Sequence, residues 1–230
     1  MCGIVARLAK AGGAEPPVAE VKRAVARLRH RGPDAEGVCT VGGCVLGHAR
    51  LAIVDVHSGA HPLQSADDAG AVAVNGEIYN YETLRDCFEE FPFATRCDSE
   101  VLLPVCAQMG AEAPRLLRGI FGFVWVGEAG RSFTVARDPI GVVPLFWAED
   151  ATGWWIASER KALPDVEFQP FPPGHVLHRD GGPDGSAVRP RRYFAPSWVC
   201  RGDAGLMPRS SSPTQNVADK LRAALERAVQ

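Results

Sequence analysis

Apolar positions along this chain recur first at strand spacing and then at helical spacing. Ile4-Val5-Ala6-Arg7-Leu8 reads as a strand. After Pro16 and Pro17, Val18, Val21, Val25 and Leu28 fall on one side of a helix, with Lys22, Arg23 and Arg27 opposite. Short strand-like runs follow at 37–41, 44–49 and 71–75, then helical stretches over about 81–90 and 99–109. β-forming runs return at 121–126, 132–137, 143–148, 153–158 and 175–179, parted by Gly, Pro and Asp turns. Short strands at this spacing suit antiparallel sheets better than repeated βαβ units. Pro104 falls inside the 99–109 helix and lacks a ladder donor, so that helix is expected to bend or to start late.

Near residue 195 the character changes. Residues 196–215 are rich in Pro, Gly and Ser and read as a linker after a domain spanning 1–195. Residues 216–230 then form an amphipathic helix, with Asn216 as its cap and Val217, Leu221, Leu225 and Val229 as its apolar stripe. That stripe has no evident counterpart in the sequence, so the helix is expected to open a further domain.

Composition narrows the classes. Hydrophobic residues make up 46% and charged residues 23%, with a formal net charge of −2, which gives no reason to invoke nucleic acid or an anionic membrane. No apolar run approaches the ~20 residues of a membrane span, and the N-terminus does not read as a signal peptide. The seven cysteines are scattered without zinc or redox spacing, which fits reduced thiols in a cytoplasmic protein. No metal site is expected: His175 and His178 point to opposite faces of a strand, and His57 and His61 only flank a turn.

Four features carry candidate chemistry. Cys2 directly follows the initiator Met. It either packs as a small hydrophobe or, once Met1 is trimmed, joins a thiol to its own α-amine, with pKa values of about 8.5 and about 7.7–8.0. Arg50, in an otherwise apolar stretch, either pairs with an acid or forks onto a substrate carboxylate. Asn75-Gly76 is either a tight hairpin turn or a pair of donors for an oxyanion. Asp98 is either a helix cap or a carboxylate for a substrate ammonium. Taken in their functional senses, the four describe hydrolysis of an amino-acid side-chain amide, that of glutamine.

The motifs "MCGIV", "RHRGPD", "HARLAIVD", "AVNGEIYN", "RDPIGVVPLF", "ASERKAL" and "FPPGHV" resemble the glutaminase half of glutamine-dependent asparagine synthetases. The resemblance covers about residues 1–195 and the terminal helix. It implies an α+β fold, the N-terminal nucleophile hydrolase αββα sandwich of two antiparallel sheets between helical layers. It implies Cys2 as nucleophile with its own amine as base, and Asn75 and Gly76 as the oxyanion hole. Arg50, Leu51, Ile53, Glu77 and Asp98 would then bind the substrate. It further implies no cofactor for the hydrolytic step. ATP and Mg²⁺ belong to a synthetase domain acting in cis or in trans, and a homodimer is compatible with it. "DGGPDGS" (180–186) is read as a hairpin loop rather than a nucleotide loop, because no helix follows it. Cys97 departs from the small residue expected beside Asp98 and puts a second thiol near the pocket. Alternatives are another class II amidotransferase of amino-sugar or purine metabolism, and a catalytically silent binding module of the same fold.

Overall fold

A computed structural model describes residues 1–10, 18–52, 61–67, 69–181, 188–195 and 214–229. In chain order the first strands are β1 (Gly3–Ala9), β2 (Ala35–Val41), β3 (Cys44–Arg50), β4 (Leu63–Gln64), β5 (Ala71–Ile78) and β6 (Gly119–Gly127). They are followed by β7 (Ser132–Arg137), β8 (Phe146–Glu149), β9 (Gly153–Ala157), β10 (Gln169–Pro170), β11 (His175–Arg179) and β12 (Arg191–Arg192). The helices are α1 (Val18–Ala26), α2 (Tyr81–Cys87), α3 (Leu102–Met109) and α4 (Thr214–Val229). The chain divides into two compact units, Met1–Ala195 and Pro196–Gln230.

The first unit holds two six-stranded antiparallel sheets, in the orders β10-β8-β9-β1-β3-β2 and β12-β11-β7-β6-β5-β4. The period of two along each strand explains the layering. On β1, Ile4, Ala6 and Leu8 enter the core between the sheets, and Val5 packs with Val21 and Val25 of α1 and with Leu28 just beyond it. On β5, Ala71 and Ala73 face the same inter-sheet core, and Val72, Val74 and Ile78 pack with Leu84, Leu102 and Val105 of the helical layer. Helices therefore cover both outer faces, which is the expected αββα sandwich.

Elements depart from expectation where polar groups or proline intervene. The run at 143–148 becomes a strand only from Phe146, because the Asp138 carboxylate accepts the backbone N–H groups of Ile140, Gly141, Val142 and Val143 at 2.6–3.2 Å. Those donors are lost to any ladder. α2 stops at Cys87, with Phe91 N–H bonded back to Phe88 and Pro92 following. A 3₁₀ turn over Asp98–Val101 precedes α3, so Pro104 falls in the helix's first turn, where no ladder donor is needed. The helix indeed starts late.

In the second unit, α4 begins at Thr214, so Asn216 lies within the helix rather than capping it. Leu221 and Leu225 are exposed; the side chains of Val217 and Val229 lie outside the described residues, as does the linker over 196–213. No described helix is long and apolar enough to cross a membrane.

Candidate active site

Three inward-facing rows change from apolar to polar at the same end of the inter-sheet space. β1 runs Leu8, Ala6, Ile4 and continues in parity to Cys2. β3 runs Cys44 and Leu46, then His48 and Arg50; β5 runs Ala71 and Ala73, then Asn75. Ile4 lies opposite His48 in register, which brings the polar ends of β1 and β3 together. A cleft there is lined by Met1, Cys2, Arg50, Leu51, His61, Val74, Gly76, Glu77, Cys97, Asp98, Ser99 and Ile120. Ile53 and the "DGGPDGS" segment from 182 onward lie outside the described residues.

Cys2 is held on several sides. The Leu51 N–H donates to its Sγ at 3.4 Å, and the thiol reaches the Leu51 carbonyl at 3.6 Å. Arg31 Nε donates to the Cys2 carbonyl at 2.9 Å and pairs through its other arm with Glu159 at 2.8 Å. Burial opposes ionisation of Glu159, but hydrogen bonds from Arg31, His30 and Lys161 outweigh it and hold its pKa at about 2. Ser158 Oγ accepts the Ile4 N–H at 2.9 Å, fixing the next inward residue. Asp34 accepts the Ala52 N–H at 2.8 Å, so the "RHRGPD" segment ties down both backbone segments that meet at the thiol, the one before β1 and the one after β3.

Asn75 is fully buried, and neither its Nδ2 nor its Oδ1 has a partner among the described residues. An unmet buried amide costs about 1–3 kcal/mol, so its presence at the cleft end calls for a ligand or a function. The hairpin alternative does not hold: Asn75 and Gly76 sit within β5, opposite Gly122 and Phe121 of β6. Gly76 has φ +141° and a Cβ there would collide with the Ile120 carbonyl, which only glycine avoids.

At the other side of the cleft Arg50 is buried and Glu77 exposed. Asp98 does not cap a helix. It opens the 3₁₀ turn and accepts the Ile78 N–H at 2.6 Å, with Cys97 Sγ and Ser99 Oγ at 3.5 and 3.4 Å from its other oxygen. Burial and then the charge of Asp98 raise the Cys97 pKa to about 12, so this second thiol stays protonated near neutral pH. Its Sγ lies 3.6 Å from His61 Nε2, and His61 stacks on His48 with centroids 4.4 Å apart. Burial lowers the pKa of His48 to about 4, with the Arg50 cation adding to the shift against the Val74 hydrogen bond. His61 is lowered by burial first, then by His48 and Arg50.

Sequence reasoning brought Cys2, Arg50, Leu51, Gly76, Glu77 and Asp98 to one cleft, with Asn75 beside it. It missed Arg31, Glu159, Ser158, His48 and His61. The motif carrying Arg31 was visible, but nothing local indicates that its arm reaches the carbonyl of Cys2.

Residues 1–174 match the glutamine amidotransferase domain family. The chain is similar to glutamine-hydrolyzing asparagine synthetase 3 of Arabidopsis thaliana, 41% identical over 203 residues, which is 86% of this chain and 34% of that protein. A probable asparagine synthetase of Dictyostelium discoideum is 40% identical over 86% of the chain and 36% of its own length. The nodule asparagine synthetase of Pisum sativum is 39% identical over 100% of the chain and 37% of its own length. The chain thus spans about a third of these relatives. Among solved structures, glutamine phosphoribosylpyrophosphate amidotransferase from B. subtilis has a TM-score of 0.67 over 84% of this chain and 49% of that one, at 21% identity. That likeness is one of fold.

Proposed function

The chain belongs to the glutamine amidotransferase domain family, and from that premise we propose that it is the glutaminase part of a glutamine-dependent asparagine synthetase. The observation that carries the reading is that Cys2 and Asn75, whose buried amide has no partner among the described residues, both lie at the polar end of the inter-sheet space.

With Met1 attached, the Cys2 nitrogen is an amide without useful basicity. Removing Met1 supplies an α-amine of pKa about 7.7–8.0 next to a thiol of about 8.5. The amine takes the thiol proton, and sulfur attacks the side-chain carbonyl carbon of glutamine. The oxygen becomes an oxyanion facing Asn75 Nδ2 and the Gly76 N–H. The α-ammonium then passes its proton to the leaving nitrogen, the C–N bond breaks, and ammonia departs from a γ-glutamyl thioester. Water, losing its proton to the same amine, opens the thioester to glutamate and frees the thiol. Arg50 forks onto the substrate α-carboxylate, Asp98 and Glu77 face its α-ammonium, and Leu51 backs the thiol. Cys97 takes no part.

The ammonia is delivered to an ATP-dependent synthetase domain, in cis or in trans. ATP and Mg²⁺ serve that domain alone. Incubating the Met1-processed chain with glutamine, aspartate, ATP and Mg²⁺ tests the division of labour by chromatography of each amino acid. Glutamate should appear at a rate unchanged when ATP and Mg²⁺ are left out, and no asparagine should form. Asparagine in that mixture contradicts the assignment.

A further inference from the structure

The nucleophile and the oxyanion donors belong to different sheets. Cys2 precedes β1 in one, and Asn75 lies on β5 of the other. No ladder among the described strands joins those sheets, and the apolar core between them resists separation without fixing register, because hydrophobic contact is non-directional. Directed contacts must set how far Cys2 stands from Asn75.

Of the directed contacts between the sheets, two lie at opposite ends of the sandwich. At the apolar end, Arg179 of β11 donates to the carbonyl of Ala9, the last residue of β1, at 2.6 Å. At the cleft end, His48 of β3 donates from Nε2 to the carbonyl of Val74, the residue before Asn75, at 2.8 Å. His48 is fully buried, lies opposite Ile4 in register and shares the inward face with Arg50. Since a carbonyl only accepts, the proton sits on Nε2. The stacked ring of His61, tilted by 20°, holds the imidazole plane.

We propose that His48 is a positioning residue of the hydrolytic site: its hydrogen bond to Val74 sets Asn75 and Gly76 at oxyanion distance from Cys2. The inference rests on the glutaminase reading above. A displacement of about 1 Å in such donors costs on the order of a hundredfold in rate, so one misplaced strand segment suffices to slow the reaction.

The test uses the Met1-processed 230-residue chain and compares His48→Leu, His48→Gln and Arg179→Gln for glutamine hydrolysis and thermal unfolding. His48→Leu fills the volume without a donor, and kcat should fall about tenfold or more with KM changed less than about twofold. His48→Gln restores a donor and should recover kcat to within about threefold. Arg179→Gln breaks the link at the far end and should lower Tm while leaving kcat within about twofold. In an Asn75→Ala background, His48→Leu should cost clearly less than it does in the wild type, because one of the two donors it positions is already gone. Should His48→Leu fail to fold, His48→Asn, whose amide is too short to span to Val74, makes the same comparison. Unchanged kcat in His48→Leu, no recovery in His48→Gln, or a full additional loss in the Asn75→Ala background would overturn the inference while leaving the glutaminase reading standing. A wild-type chain that releases no glutamate overturns both.

Discussion

At one end of the space between the sheets, Leu8 of β1, Leu46 of β3 and Ala71 of β5 belong to an apolar cluster; at the other lie Cys2 just ahead of β1, His48 and Arg50 of β3, and Asn75 of β5. The apolar end follows the ordinary rules of a core, each buried Leu contributing roughly 1.5–3 kcal/mol. The polar end breaks them: it buries the His48 imidazole, stacked on the half-buried His61, beside an arginine and leaves the Asn75 amide without a partner among the described residues. Both ends share a backbone frame, so the difference is written in side chains alone. Stability resides at one end and chemistry at the other, and substitutions at the two ends should separate in what they change.

The sharpest separation pairs Asn75→Ala with Leu46→Ala. Asn75→Ala removes one oxyanion donor and should lower kcat by about 10²–10³, with Tm shifted by no more than a few degrees because no side-chain hydrogen bond to a described residue is broken. Leu46, fully buried, should lose about 2–5 kcal/mol on truncation to Ala, while kcat below the unfolding transition stays near that of the wild type. Thermal melts and initial rates on both variants check this. The comparison fails if Leu46→Ala slows turnover as much as Asn75→Ala.

Arg50→Lys probes the polar end more finely. A lysine keeps the charge and loses the bidentate fork, so KM for glutamine should rise about tenfold with a smaller change in kcat. A loss confined to kcat would move Arg50 from substrate binding into the chemistry.

How much of this was legible in the sequence follows the same division. Strands with several alternating residues, such as β1, β3, β5, β6 and β7, were readable because one face of each is buried against the partner sheet. The two-residue strands β4, β10 and β12 were not, since a pair carries no period. Cys2 and Asn75-Gly76 were legible as chemistry because few other roles need those residues there; the hairpin alternative fell only when β6 was seen to pair along β5. Arg31, Glu159, Ser158 and His48 act across long sequence separations, on Cys2, Ile4 and Val74, and local spacing encodes none of those distances. His61 was weighed only for metal binding, and its stacking on His48 depends on how the chain before β4 returns to the cleft. The helix-cap reading of Asp98 failed because Ile78 at the end of β5 claims the carboxylate.

The smallest effect concerns acid. His48 has a folded pKa of about 4 against 6.5 for a free imidazole, and His61 is shifted the same way. Between about 6.5 and 4 the unfolded chain binds more protons at His48 than the folded one, so the His48 contribution to stability falls as pH drops across that range and levels off below, with His61 acting in the same direction. Glu159, held at about 2, adds its own loss only below about 4.5. Tm measured from pH 7 to pH 5 should therefore decline, and His48→Gln should flatten that decline by about 4–7 °C. An identical slope in the variant contradicts a neutral buried His48.

The most direct test of the polar end as a cysteine amidase is the initial rate of glutamate release by two preparations of this chain, one beginning at Cys2 and one retaining Met1, each N-terminus verified by mass spectrometry. The account predicts glutamate and ammonia in equal amounts from the first and none above background from the second, because only the first carries a basic amine beside its thiol. Equal rates from the two preparations would contradict it.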